Sequence, residues 1–149
     1  MTVRWLLASL HLLALGVGLG AVWVRAQALR GPLDVMGLRR VFQADLWWGI
    51  AAVVWIVTGV LRAFTALEKG PAFYLTNHLF WGKMALLAAI LALEIWPMVT
   101  LIRWRVRVRL GEAVDPAPAA ALARISIVQA VLVVLMVLAA TGMARGFGS

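Results

Sequence analysis

Two ionisable side chains, His11 and Lys83, lie inside otherwise apolar stretches of the sequence. His11 comes six residues after Trp5, where the first apolar run starts, and Lys83 comes four residues after Leu79, where the third starts. On helices that rise about 1.5 Å per residue, both lie roughly 6 to 9 Å inside the same membrane boundary. An ionisable group at such a depth costs a few kcal/mol and faces the bundle interior or water. We therefore expect His11 and Lys83 to serve one site, with the imidazole as a metal ligand and the ammonium as an anion partner or proton carrier.

Two further side chains lie near the same boundary, His78 at the mouth of the third apolar run and Met143 near the end of the fourth. Either is a candidate second ligand beside His11. Ligation by both histidines would require the third helix to begin earlier, near Ala72. Each candidate also has a structural interpretation: His11 as a hydrogen-bonded link between helices, Lys83 as a cation that extends to the headgroups, and His78 as an interfacial or helix-capping residue.

Polar residues that are predicted to lie further inside the membrane are weaker indications of a functional site. Glu94 points to the same bundle face as Lys83 but lies about 16 Å further along the helix, too far to pair with it. We expect Glu94 to pair with Arg103 or to accept a hydrogen bond from Gln129. Asp45 complements the positive N-terminal end of the second helix. Pro97 removes a backbone donor and is expected to kink the third helix.

The composition places the chain in the membrane. Of its 149 residues, 64% are hydrophobic and 13% charged, whereas a soluble domain has about 45 to 50% apolar and about 25% charged residues. The apolar runs predict one all-α domain over residues 1–149, a bundle of four transmembrane helices at residues 5–24, 46–64, 79–102 and 125–144. The chain contains no Cys, which excludes disulfides, thiolate metal sites and covalent haem attachment.

Basic residues set the predicted orientation. Nine lie beside the span ends in the first and third loops, and four lie on the other side, so both termini are predicted to be outside the cytoplasm. The nine are Arg25, Arg30, Arg39, Arg40, Arg103, Arg105, Arg107, Arg109 and Arg124, and the four are Arg4, Arg62, Lys69 and Arg145. These cations favour anionic lipid headgroups, so nucleic acid is rejected as a partner despite the net charge of +8. Arginine occupies every second position from Arg103 to Arg109, and we interpret this segment as an extension of the third helix. Most of the tryptophans are interpreted as interfacial anchors.

Several segments of the chain resemble a known bacterial family of membrane proteins. They are Trp5 to His11, the Arg39-Arg40 pair, Phe42 to Ile50, Asn77 to Lys83 and Glu94 to Met98. Together they are similar to the family called domain of unknown function 2214, over almost the whole chain. The layout is more distantly similar to HemJ-type protoporphyrinogen oxidases and to the membrane domain of CopD-type copper proteins.

The HemJ resemblance implies haem b as cofactor, with an early His in the first helix, an Arg before or within the second and a Lys early in the third. The matching positions are His11, Arg39 or Arg40, and Lys83. The chain departs from that group in its Trp47-Trp48 pair, in His78 and in the segment from Glu94 to Pro97, which weakens the expectation of oxidase activity more than that of a haem site.

The sequence thus predicts a multi-pass protein of the bacterial inner membrane that binds haem b and has a redox or porphyrin-related role. His11 is the expected axial ligand and Lys83 the propionate partner or second ligand. If the protein is an enzyme, it oxidises a porphyrinogen and passes electrons to a quinone, with Lys83 or His11 handling protons. Two alternatives remain open: copper handling through His11, His78, Met84 and Met143, and a non-catalytic subunit of a membrane complex. Self-association into a homo-oligomer is a further candidate interaction.

Overall fold

The computed structural model describes residues 2–65 and 75–147 and consists of four long helices. They are α1 (Thr2–Arg30), α2 (Val35–Phe64), α3 (His78–Arg109) and α4 (Ala119–Ala144). Each is long and apolar enough to cross a membrane. The described ranges contain no strand. The prediction of an all-α, four-helix membrane bundle is therefore confirmed.

The helices extend beyond the apolar runs that predicted them. α1 continues to Arg30, six residues beyond the predicted first span of residues 5–24. α2 begins at Val35, eleven residues before the predicted start of the second span, and α4 begins at Ala119 rather than near Ile125. Cations end an apolar run in sequence, but they do not break helical hydrogen bonding. The interpretation of the Arg103 to Arg109 segment as helix is confirmed, because α3 runs through Pro97 and ends at Arg109.

A tight turn at residues 31–34 joins α1 to α2. Asp34 is the N-cap of α2, and its carboxylate accepts a hydrogen bond from the backbone N–H of Gly37 at 2.8 Å. Gly37 is buried, and a Cβ atom there would clash with the carbonyl oxygen of Pro32. A glycine at residue 37 therefore lets the preceding turn fold back onto the first turn of α2.

The helices do not all pack against each other equally. α1 packs along both α2 and α4, and α4 packs along α3, whereas α2 and α3 make little direct contact. We call the end with the 31–34 and 110–118 connections the loop end, and the end with residues 2 and 147 the terminal end. A side of the bundle is thus left loosely packed between α2 and α3.

Three apolar clusters fill the interior. The central cluster includes Val22, Trp48, Ile90 and Met136. A loop-end cluster includes Val41, Leu101, Trp104 and Leu122, and a terminal-end cluster consists of Ala63, Phe80 and Met143 with Leu79 and Met84 against it. The clusters tie all four helices together along their lengths.

Two tryptophans expected at the interface belong to the core instead. Trp48 is 7% exposed and Trp104 is 3% exposed, because each packs inside one of these clusters. The interfacial prediction fits the exposed side chains of Trp5, Trp23, Trp47, Trp81 and Trp96.

One of the nine loop-end cations was also assigned wrongly. The side chain of Arg25 is fully buried, so it is not a flanking charge in contact with headgroups. Eight basic residues remain at the loop end, against Arg4, Arg62 and Arg145 at the other end. Lys69, the fourth on that side, lies outside the described residues. The charge asymmetry therefore keeps its direction, and the orientation with both termini outside stays a prediction.

Candidate functional site: a buried arginine cluster and a histidine pair

Arg25 lies at the centre of a polar cluster that joins all four helices. Its Nη1 donates to Asp45 Oδ1 of α2 and to Glu94 Oε1 of α3, both at 2.8 Å. Its Nη2 donates to Glu94 Oε2 at 2.9 Å and to Gln129 Oε1 of α4 at 2.7 Å. Its Nε donates to Ser126 Oγ of α4 at 3.0 Å. Because a guanidinium has five N–H donors, every donor of Arg25 is used.

The cluster is balanced in charge. Asp45 Oδ2 accepts a second hydrogen bond from Arg105 Nη2 at 2.6 Å, so two guanidinium groups face two carboxylates. Gln129 Nε2 donates to Glu94 Oε2 at 2.7 Å and to the carbonyl of Ile90 at 3.2 Å. Buried charges are tolerated when they are paired and hydrogen-bonded. The hydrogen bonds of the cluster therefore orient the helices relative to each other, which apolar packing alone would not do.

The sequence predicted only part of this cluster. The hydrogen bond from Gln129 to Glu94 is confirmed. Pairing of Glu94 with Arg103 is wrong, because Glu94 binds Arg25 in a bidentate arrangement. Asp45 was expected to complement a helix N-terminus, but α2 begins ten residues earlier and Asp45 binds Arg25 and Arg105 instead. Arg25 was missed because it ends the first apolar run and therefore resembles a flanking charge.

His11 lies nearer the terminal end, against α2. Its Nδ1 is 2.9 Å from Thr58 Oγ1, and its ring stacks on Trp55 with centroids 5.4 Å apart and planes inclined by 18°. A Cβ atom at Gly59 would lie 3.2 Å from His11 Cε1, so this glycine allows the ring to approach the α2 backbone. The interpretation of His11 as a link between helices is thus confirmed by the contact with Thr58.

The other hydrogen bonds of the Thr58 hydroxyl favour one tautomer of this histidine. Thr58 Oγ1 donates to the carbonyls of Val54 at 2.7 Å and Trp55 at 3.1 Å. When the one hydrogen of the hydroxyl is directed to those carbonyls, Oγ1 accepts from His11. His11 then carries its proton on Nδ1. Metal-ligating histidines have this arrangement, in which the second ring nitrogen donates to a fixed acceptor. Thr58 and Trp55 were not singled out in the sequence.

Lys83 lies at nearly the same level as His11. Phe80 and Ala63 share the terminal-end cluster. Lys83 is three residues deeper than Phe80 and Thr58 is five residues deeper than Ala63, so the two levels differ by about 3 Å. Lys83 is half-buried. The predicted agreement in depth fits this arrangement, and a shared site of His11 and Lys83 stays a prediction.

Other candidate ligands lie in different surroundings. His78 is the exposed first residue of α3, next to the N-cap Asn77, and a helix start near Ala72 falls outside the described residues. Met143 is 9% exposed and packs against Phe80 and Ala63. In the described part of the chain, no three His, Asp or Glu residues form a group suited to a metal ion.

Arg39 and Arg40 are far from His11. Both are exposed in the first turns of α2, at the loop end. Thr58, which binds His11, follows Arg40 by 18 residues, a distance of about 27 Å along the helix. The arginine that the HemJ resemblance aligns with the haem site is therefore not brought to His11 by this fold.

Comparison with known proteins supports the broad class. No curated protein and no solved structure matches the chain, so the similarity to HemJ-type and CopD-type proteins stays a prediction. A family described as predicted membrane protein (DUF2214) matches residues 3–148. The four apolar helices make the chain a multi-pass bundle, and the chain belongs to this family.

Proposed function

We propose that this protein binds haem b through His11 and has a redox or porphyrin-related role in the bacterial inner membrane. The supporting observation is the hydrogen bond between His11 Nδ1 and Thr58 Oγ1. Nδ1 is the ring nitrogen that Thr58 holds, and Nε2 is the ring nitrogen that would bind the iron as an axial ligand. A neutral imidazole fixed by a second hydrogen bond is the residue type and tautomer that haem iron requires.

The residues of the chain fit this group in part. His11 would bind the iron, Thr58 would hold its ring orientation, and Lys83, at a similar level, would pair with a propionate or move a proton. Arg39 and Arg40 do not fit, because they lie about 27 Å or more along α2 from Thr58. Haem b, when bound, supplies one-electron redox chemistry. Partners consistent with this role are a quinone or another electron carrier, and anionic lipids at the loop-end arginines.

A visible spectrum of the detergent-purified protein, produced with sufficient haem supply, tests the proposal. We expect a Soret band that shifts when dithionite is added, with close to one haem per chain. A chain purified intact and folded that shows no such band under these conditions would rule out haem b as its cofactor.

Copper handling is the second candidate, and one observation favours it. Met84 and Met143 pack at the same terminal-end cluster, which brings together two of the soft ligands suggested by the sequence. Copper(I) titration under anaerobic conditions tests this function, with Met84→Leu and Met143→Leu as variants. A copper site requires each substitution to weaken Cu(I) binding, and unchanged binding in both variants would contradict it.

A further inference from the structure

A small cavity lies on the loosely packed side of the bundle, between α2 and α3, with residues of α1 in its wall. Its volume is about 180 Å³, and its walls include Gly18, Gly49, Trp48, Trp55 and Leu91. His11 is not among the lining residues. The cavity is therefore separate from the proposed haem ligand, although Trp55 contacts His11 on one side and lines the cavity as well.

The volume of the cavity limits the size of the ligand that it can hold. An engineered protein cavity of about 150 Å³ holds benzene, so the cavity here accommodates one six-membered ring with small substituents. A porphyrin is several times larger and is excluded. Because α2 and α3 make little direct contact, a longer apolar tail can leave the cavity between these helices toward the lipid.

The polar side chains in the cavity wall favour a ligand that donates a hydrogen bond. Asp45 and Glu94 both line the cavity, and their side chains are 12% and 19% exposed, whereas Arg25 behind them is fully buried. A carboxylate has about four acceptor positions. Asp45 uses two for Arg25 and Arg105, and Glu94 uses three for Arg25 and Gln129. Each keeps acceptor capacity toward a hydroxyl group, while its charge is already compensated.

The aromatic wall favours a flat ring. Trp48 and Trp55 both line the cavity, and indole faces stack on aromatic rings. The indole N–H of Trp55 is buried and, within the described residues, has no hydrogen-bond partner. A buried donor without an acceptor is unfavourable, and a ligand oxygen within reach of this N–H would lower the cost.

We infer that the cavity between α2 and α3 is a binding site for a membrane-soluble monocyclic phenol. The phenol ring lies against the indoles, and its hydroxyl donates to Glu94 or Asp45. The site does not depend on haem, since none of its lining residues is a proposed ligand.

Equilibrium dialysis of radiolabelled 4-methoxyphenol against the full-length protein in detergent tests the site, with protein-free micelles as the blank. We expect saturable binding of one molecule per chain. The matched probe 1,4-dimethoxybenzene, which has no donor, should bind at least tenfold more weakly. Binding no greater than the micelle blank, or equal affinity for the two probes, would overturn the inference.

Two glycine variants test whether the phenol binds inside this cavity. A Cβ atom at Gly49 or at Gly16 meets nothing within 4 Å, but only Gly49 lines the cavity. Gly49→Phe should fill the cavity and weaken 4-methoxyphenol binding at least tenfold, whereas Gly16→Phe should leave it unchanged. If Gly49→Phe does not fold, Leu91→Trp fills the same space from α3. Unchanged affinity in the folded cavity-filling variant would contradict the assignment.

Discussion

Arg25 is the residue on which the polar interior depends. Its five hydrogen bonds reach Asp45, Glu94, Ser126 and Gln129, which belong to the three other helices. The guanidinium fork matches the bidentate geometry of Glu94, which a lysine could not reproduce. Loss of this one side chain would leave the carboxylates short of positive charge inside the bundle, since Arg105 pairs with Asp45 of the two carboxylates.

We predict that Arg25→Met lowers the free energy of unfolding by about 3 to 5 kcal/mol, the usual cost of removing one partner from a buried ion pair. Reversible denaturation in mixed micelles measures it. Arg30→Met, at the exposed end of the same helix, is the matched control and should change stability by no more than about 0.5 kcal/mol. Equal effects of the two substitutions would show that the Arg25 cluster is not a stabilising centre.

Thr58→Val tests the second polar link. The substitution keeps the shape of the side chain and removes the acceptor of His11, so we expect haem affinity to fall about 10- to 100-fold, as is typical when the partner of a ligating histidine is lost. Thr141→Val is the control, because Thr141 is exposed and its hydroxyl bonds only to Val137 and Leu138 of its own helix. Haem titration followed at the Soret band gives both affinities. An affinity unchanged by Thr58→Val would remove Thr58 from the site.

At the residue scale, the sequence predicted the polar groups better than their partners. Their positions inside apolar runs singled out His11, Lys83 and Glu94. Of the two partners expected for Glu94, Gln129 is confirmed and Arg103 is wrong. The sequence did not single out Arg25, because an arginine at the end of an apolar run is equally consistent with a headgroup contact. Three polar residues on other helices at the same depth, Asp45, Glu94 and Gln129, are the signal that could have indicated a buried cation.

At the element scale, the connection between α1 and α2 is tightly constrained by a cap and a close backbone contact. Asp34 caps α2 by accepting from Gly37, and the missing side chain of Gly37 makes room for the carbonyl of Pro32. These two helices also make the most extensive helix-to-helix contact in the bundle. The turn geometry therefore bears directly on how α1 and α2 align.

Gly37→Ala should destabilise the protein by about 1 to 3 kcal/mol, the range for overpacking in a filled interior. The added methyl would have to displace the carbonyl of Pro32, which belongs to the backbone and cannot rotate away. Gly16→Ala places the same methyl where no atom lies within 4 Å and should be neutral or slightly stabilising. Thermal unfolding in detergent compares them, and a Gly37→Ala protein as stable as wild type would disprove the constraint.

The existence of four helices was predictable, because each apolar run is long enough to span a membrane. Their ends were not, since α1 continues past Arg25 and α2 begins before Asp45. Hydropathy reports where side chains avoid water, whereas a helix ends where its backbone hydrogen bonds end.

At the scale of the whole molecule, the helix order α2, α1, α4, α3 leaves α2 and α3 as loosely joined neighbours. No sequence pattern predicted this order, because apolar helices of similar composition can pack in several arrangements. The charge asymmetry between the two ends was predictable, and it persists after Arg25 is assigned to the interior.

The orientation is testable because the chain contains no Cys. We expect Thr2→Cys to react with a membrane-impermeant maleimide added to intact spheroplasts, because the predicted topology places both termini outside. Arg107→Cys, exposed at the loop end, should react only after the membrane is permeabilised. The reverse pattern would contradict the orientation derived from the arginine distribution.

The haem-to-protein ratio of two histidine variants tests the proposed function most directly. The chain has two histidines: His11 bonds to Thr58 within the bundle, and His78 is exposed at the start of α3. We predict that His11→Ala loses the Soret band while His78→Ala keeps the wild-type spectrum and about one haem per chain. A folded His11→Ala protein with the haem content and spectrum of wild type would contradict ligation by His11.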